Sequence, residues 1–306
     1  MSSSSGGRRL PERIILVRHG ESEGNVDSAA YSTTPDHQIP LTALGLRQAR
    51  EAGRQIKAIL SGSSNSSNGK WGAYFYVSPY ARTLSTLRQI GRSFSRPRVL
   101  GAREECRIRE QDFGNFQVQD RMRLVKEARQ RFGRFFFRFP EGESAADVFD
   151  RVASFLESLW RDIDMNRLCH DHLTQTNLVI VTHGLTSRVF LMKWFKWTVD
   201  QFEHLNNPGN CEIRVMQLGP SGDYTLLIHH TPQELHQWGL SPEMITDQHS
   251  RATPSTANDF GGYLTNSFFD HLPDHSDSDS NSNSDSDSHC NPHPHPHPHC
   301  QEDGAS

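Results

Sequence analysis

Cysteine is scarce in this chain of 306 residues. There are five, Cys106, Cys169, Cys211, Cys290 and Cys300, an odd number at wide spacing. No secretory leader accompanies them, so reduced thiols are expected rather than a disulfide framework. Long apolar runs are missing as well. No stretch approaches 18 consecutive apolar residues, so no membrane span and no membrane partner is expected. The N-terminal "MSSSSGGRRLPER" holds no apolar run of signal-peptide length, which points to a cytoplasmic protein, the nucleus remaining open. A strong positive balance is also absent. The formal net charge is −4, and the stretch from Arg251 onward holds one basic and nine acidic residues, so residues 1 to 250 carry +4. Such a mildly basic body suits a small anionic substrate. It is too weakly charged and too little clustered to hold nucleic acid.

Hydrophobic periodicity divides the chain into three parts. Residues 1–11 and 251–306 read as polar tails, and 12–250 as one folded domain. Arg13–Val17 is a buried strand, as are "AYFYVSP" and "NLVIVTHG", with a short third strand at Val99–Leu100. Helices are expected over "PLTALGLRQAREAGRQIKAIL", with Thr42 as N-cap, after Pro79, from Arg121 to Phe139, from Asp147 to Ile163 and from Leu185 to Trp197. "EIRVMQLG" and "DYTLLIHH" suggest a closing hairpin. Alternating strands and helices imply a three-layer α/β/α sandwich with a mostly parallel central sheet and helices on both faces.

Ligands in such sheets bind at the carboxyl ends of the strands. Two strands here end alike, in "ILVRHG" and "VIVTHG", and a third ends in "YVSP" with Arg82 close behind. That brings His19, His183, Arg18 and Arg82 to one rim. Guanidinium forks match phosphoryl oxygens and hold their charge throughout a reaction. A histidine among them can attack phosphorus and carry the phosphoryl group covalently. Metal ligation is the rival, but a cationic Arg18 beside His19 opposes a dication, and the expectation is a site with no metal and no cofactor. The leaving oxygen needs a proton, for which Glu110 in "CRIREQDFGNF" is the leading candidate, with Glu104 and Glu105 as competitors.

"LVRHGESEGN" resembles the entry motif of the histidine phosphatase superfamily, in its phosphoglycerate mutase-like branch. "PLTALGLRQA", "SPYARTLST", "RIREQDFGNFQ", "PEGESAADVFDRV" and "VIVTHG" resemble further segments of that branch in its own order, over roughly residues 13 to 230. At closer range the chain is similar to plant phosphoglycerate mutase-like proteins. The resemblance implies that His19 is the nucleophile and that Arg18, Arg82 and Asn25 hold the phosphoryl oxygens. It implies that His183 bonds the transferring group, Glu110 is the acid, and Gly20 and Gly184 let backbone approach the phosphate. It also implies a small phosphorylated substrate.

Two departures bear on the activity. Gly24 stands where the family often has Trp, and the run from His19 to Leu41 is longer than usual, so contacts from "VDSAAYSTTPDHQ" do not carry over. The true mutases carry a long insertion between the acid and "GES"; here about thirty residues suffice. A less closed site admits water to the phosphohistidine. A metal-independent phosphomonoesterase is therefore expected, with a phosphoglycerate-type mutase and a non-catalytic phospho-ligand scaffold as alternatives.

Three segments lie outside that reading. "LCHDH" (Cys169, His170, Asp171, His172) has metal-like composition but reads as loop polarity. "GRFFFRF" (Gly133–Phe139) fits either the substrate mouth, a partner surface or core packing. The Ser/Asp and His/Pro tail lacks the apolar content to fold and is given no part in catalysis.

Overall fold

A computed structural model describes residues 9–62, 70–115, 117–169 and 174–254. The chain divides into two units, Met1–Phe260 and Gly261–Ser306, and every described residue lies in the first. The expected tail beyond residue 254 and His170, Asp171 and His172 fall outside the described residues.

Among the described residues six strands form one sheet: β1 (Arg13–Arg18), β2 (Trp71–Val77), β3 (Val99–Glu104), β4 (Gln175–Thr182), β5 (Ile213–Leu218) and β6 (Tyr224–Thr225). Their order is β3-β2-β4-β1-β5-β6. The first four are parallel; β5 runs antiparallel to β1, and β6 to β5. Strands buried on both faces read as continuous apolar runs, which is why β1 and β4 stand out in the sequence.

Among the described residues there are ten α-helices: α1 (Glu23–Val26), α2 (Ala30–Thr33), α3 (Ala43–Gly62), α4 (Ala81–Gly91), α5 (Gln119–Phe132), α6 (Ala145–Asp164), α7 (Gly184–Phe195), α8 (Val199–His204), α9 (Pro232–Gln237) and α10 (Pro242–Ala252). The strand pleat divides the core in two. Ile15, Val17, Val179 and Val181 pack with Ala49, Ala52 and Ile56 of α3 and Ile90 of α4. Ile14, Leu16, Leu178 and Ile180 face the other layer, with Val148, Val152, Phe155 and Leu159 of α6 and Val189 of α7. The three-layer sandwich follows directly from this alternation.

Local signals hold at several ends. Thr42 caps α3, accepting from the Gly45 N–H at 3.0 Å. Ser144 of "GES" caps α6 in a reciprocal box with Asp147.

Four expectations need correction. The helix expected to reach Phe139 stops at Phe132, because Gly133 takes φ +87° and turns the chain. The phenylalanines beyond it divide: Phe135 and Phe139 are buried, and Phe136 is exposed. The second strand of the hairpin is Tyr224–Thr225 alone, and α10 covers the sheet beyond it. The N-terminal tail ends earlier than residue 11. Pro11 is buried and its carbonyl accepts from the Tyr224 hydroxyl. The C-terminal boundary at 250 cuts two residues from α10.

Candidate active site

β1 and β4 are parallel neighbours, with Arg18 in register with Thr182. Their last residues therefore hand His19 and His183 to the same rim. The His19 backbone N–H extends the pairing, donating to Thr182 O at 3.0 Å. The two imidazoles lie 5.3 Å apart between centroids, edge to face. Both are almost wholly buried.

His19 Nδ1 is 2.7 Å from the Gly20 carbonyl oxygen. A carbonyl only accepts, so Nδ1 carries the proton and Nε2 keeps its lone pair. Burial holds His19 well below its ordinary value, and the charges of Arg82 and Arg18 add to that, while the Gly20 bond opposes it. The ring is neutral at pH 7. His183 is depressed in the same way, by burial and then by Arg82 and His19. Its Nε2 meets Ser78 Oγ at 2.8 Å. Its Nδ1 is buried without a hydrogen-bond partner, 3.9 Å from Glu110 Oε2.

Arg82 is 2% exposed, on the first turn of α4. Its Nη1 donates to Asp36 O at 2.7 Å and to Asp36 Oδ1 at 2.8 Å. Arg18 uses Nη1 on the Pro208 carbonyl at 2.7 Å. Each guanidinium keeps a buried Nε without a partner. Asn25 is exposed, and its Oδ1 accepts from Ser22 N at 3.1 Å and Asn210 Nδ2 at 3.0 Å. With the oxygen fixed inward, the amide nitrogen is the end left to donate.

Glu110 is separated from its competitors by geometry. Glu104 is exposed at the end of β3. Glu105 is bound by Arg107, at 2.8 Å through Nε and 2.7 Å through Nη2. Glu110 faces His183, and burial raises it above the ordinary carboxylate value against the pull of Arg82 and the Gln111 N–H. A carboxyl so raised is a better proton donor near neutrality.

Gly20 answers to a different neighbour than the one expected. A Cβ there would lie 2.5 Å from the Gly45 carbonyl oxygen, so the glycine admits the start of α3 rather than a ligand. At Gly184 a Cβ would lie 3.0 Å from Asn207 Oδ1.

Several supporting residues carried no readable signal. Arg151, on the polar face of α6, donates to the carbonyls of Arg107 at 2.6 Å, Arg109 at 3.0 Å and Glu110 at 3.0 Å. It is paired with Glu143 through Nε at 3.1 Å and Nη2 at 3.0 Å. Thr182 and Thr186 donate to the carbonyls of Ile108 and Arg109. Together they fix the segment that presents Glu110. Asp36 lies in the run that could not be carried over from the resemblance. Among the described residues, no group of three His, Cys, Asp or Glu side chains is placed to hold a metal ion. Of the described cysteines, Cys106 and Cys211 are free thiols.

The model of the histidine phosphatase superfamily, branch 1, matches residues 14–230. The chain belongs to that superfamily. It is 69% identical over 268 residues to the phosphoglycerate mutase-like protein AT74 of Arabidopsis thaliana, covering 87% of this chain and 84% of that protein. It is 33% identical over 295 residues to the broad-range acid phosphatase DET1 of Saccharomyces cerevisiae, covering 69% of this chain and 86% of that protein. Among solved structures, YhfR of Bacillus stearothermophilus is similar with TM-score 0.52 at 20% identity, over 70% of this chain and 95% of that one. The last likeness concerns the fold. No helix among the described residues is long and apolar enough to cross a membrane.

Proposed function

We propose that this superfamily member hydrolyses phosphate monoesters through a phosphohistidine on His19. The observation that carries this is the bond from His19 Nδ1 to Gly20 O, which leaves a neutral ring with a bare Nε2 among cationic groups. In the first step the Nε2 lone pair attacks phosphorus, and the bond to the ester oxygen breaks. Glu110, raised toward its protonated form, gives its proton to that oxygen. Arg18, Arg82, Asn25 and the ring of His183 receive the equatorial oxygens, whose charge is shared differently in the transition state. In the second step Glu110 takes a proton from water, the water oxygen bonds phosphorus, and the bond to Nε2 breaks. Phosphate leaves and His19 is neutral again. No step calls for a metal or cofactor.

The acid phosphatase relative supports hydrolysis over mutase chemistry. So does the short span between Glu110 and Gly142, which brings one helix, α5, and no long closing segment. The substrate is a small phosphorylated molecule, and the folded domain takes in residues 12–250 at least. The test is hydrolysis of p-nitrophenyl phosphate in EDTA. Wild type should turn over. His19→Ala should lose at least about a thousandfold, the order seen when a covalent nucleophile is removed. Brief reaction with 32P-labelled ester should leave acid-labile label on wild type alone. Substantial turnover by His19→Ala would overturn the nucleophile assignment.

A further inference from the structure

Ser78 and His183 leave the sheet side by side. β2 and β4 are parallel neighbours, with Val77 in register with Val181. The Ser78 N–H donates to Val181 O at 3.0 Å, and the Ser78 carbonyl accepts from Thr83 Oγ1 at 2.9 Å. The backbone of Ser78 is thus held on both sides. Its side chain is wholly buried, as is that of His183, and its Oγ lies 2.8 Å from His183 Nε2. The imidazole stands between two other rings. His19 lies 5.3 Å away and Tyr80 5.0 Å away, centroid to centroid, both edge to face. The position of the ring is therefore fixed, and its chemistry depends on which nitrogen carries the proton.

Two observations decide that. The first concerns the hydroxyl proton of Ser78. Among the described residues, the hydrogen bond of Ser78 Oγ is to His183 Nε2 alone. Were Nε2 protonated, it would donate to Oγ, and the buried hydroxyl proton would have no acceptor, at the full cost of its desolvation. With Nε2 bare, the hydroxyl donates and no donor is left over. The second concerns Nδ1, which is buried without a hydrogen-bond partner and lies 3.9 Å from Glu110 Oε2. A lone pair there would face the oxygens of a carboxyl and of any bound anion, whereas an N–H is attracted to both. A hydrogen bond at one ring nitrogen fixes the proton on the other.

We propose that Ser78 is a positioning residue that holds His183 in its Nδ1–H form, so that this unpartnered N–H donates to a phosphoryl oxygen beside Glu110. The proposal rests on the reading of the pocket as a phosphate ester site. It also separates the two histidines. His19 offers a bare Nε2 to phosphorus, while the only lone pair of His183 is spent on the Ser78 hydroxyl. His183 is thereby a donor and not a second nucleophile.

The test reads the imidazole nitrogens of 15N-labelled full-length wild type by NMR near neutral pH, with the His183 signals assigned through bonds from its backbone. A bare ring nitrogen resonates far downfield of a protonated one. Nε2 should fall in the bare range and Nδ1 in the protonated range, and inorganic phosphate should move the Nδ1 proton downfield. A protonated Nε2, or an Nδ1 proton that saturating phosphate leaves unmoved, overturns the proposal whatever the variants do. In Ser78→Ala the two nitrogen shifts should move toward each other as the second tautomer is populated. The kcat for p-nitrophenyl phosphate should fall at least about tenfold, the order of one lost hydrogen bond to a charged group, with KM within about twofold. Ser78→Thr, which restores the hydroxyl, should recover kcat to within about threefold of wild type. Wild-type nitrogen shifts or a wild-type kcat in Ser78→Ala would remove Ser78 from the role. A failed tautomer leaves wild-type turnover intact, whereas a failed catalytic reading is a wild type that does not turn over.

Discussion

Arg82 Nη1 donates twice to Asp36, at 2.7 Å to its backbone carbonyl and 2.8 Å to its Oδ1. One arm of the guanidinium is thus fixed while Nε and Nη2 stay available, which aims the remaining donors. Asp36 also places a negative charge beside the phosphate position. Asp36→Asn keeps an acceptor but removes that charge. Its expected effect is a kcat lower by about tenfold, near 1.4 kcal/mol of transition-state stabilisation, with tighter inhibition by inorganic phosphate. Steady-state kinetics with a phosphate inhibition series checks both. An unchanged kcat would show that the charge of Asp36 has no part in catalysis.

Glu110 invites a comparison of leaving groups. An alkoxide needs the proton, whereas a nitrophenolate needs it far less. Glu110→Gln should therefore depress hydrolysis of an alkyl phosphate at least about a hundredfold more than that of p-nitrophenyl phosphate. Arg151→Met should show the same selectivity more weakly, because Arg151 touches Glu110 through its carbonyl and not through its carboxyl. Equal losses on both substrates would return the acid role to another group.

The acid limb of stability is set elsewhere. The Val215 N–H on β5 donates to His230 Nε2 at 2.9 Å, so that nitrogen must be bare. Burial pushes His230 from 6.5 to about 4; His229 and Arg214 add to the shift and Glu234 opposes it. His229 is pushed to about 4 as well, by burial and then Arg13. A histidine depressed in the folded state binds fewer protons there than in the unfolded chain. Its stabilisation is full above pH 6.5 and is lost as pH falls toward 4. The melting temperature should fall over that window, and His230→Gln, which keeps an acceptor but cannot titrate, should flatten the fall. An identical slope in the variant would place the acid sensitivity in other groups.

Sequence and structure agree most where a pattern is forced by burial on two sides. β1 and β4 had to be continuous apolar runs, and a repeated ending on two such runs exposed His19 and His183. Arg82 is legible from the end of a third strand and Glu110 as the leading carboxyl after it, with Glu104 and Glu105 left as competitors, while Asn25 follows only through the family resemblance. The unreadable remainder has a common physical character. The carbonyl of Pro208, to which Arg18 donates, leaves no mark on residue identity. Arg151 sits on the polar side of an amphipathic helix, where a clamp and a solvated charge look alike. The end of α5 depended on one glycine inside a run whose phenylalanines continued to suggest a helix.

The position of α10 decides where the chain can be shortened. Gln248 is fully buried: its side-chain oxygen accepts from the Leu226 N–H at 2.9 Å, and its carbonyl from Thr225 Oγ1 at 2.8 Å. The Arg251 carbonyl accepts from Ser221 Oγ at 2.7 Å. These bonds replace a strand partner for the chain leaving β6, and Met244 of the same helix is buried in the core. Cutting after Leu240 leaves those donors unpaired and opens the site of Met244. A drop of several degrees is expected, since each kcal/mol lost shifts the melting temperature of a domain this size by about 2–4 °C. Cutting after Pro254 keeps every one of these contacts and should leave both melting temperature and turnover nearly as in the full chain. Tyr263, Leu264, Phe268 and Phe269 lie beyond that point, outside the described residues. A melting temperature that falls on cutting after Pro254, but not after Leu272, would overturn the boundary and add that segment to the folded domain.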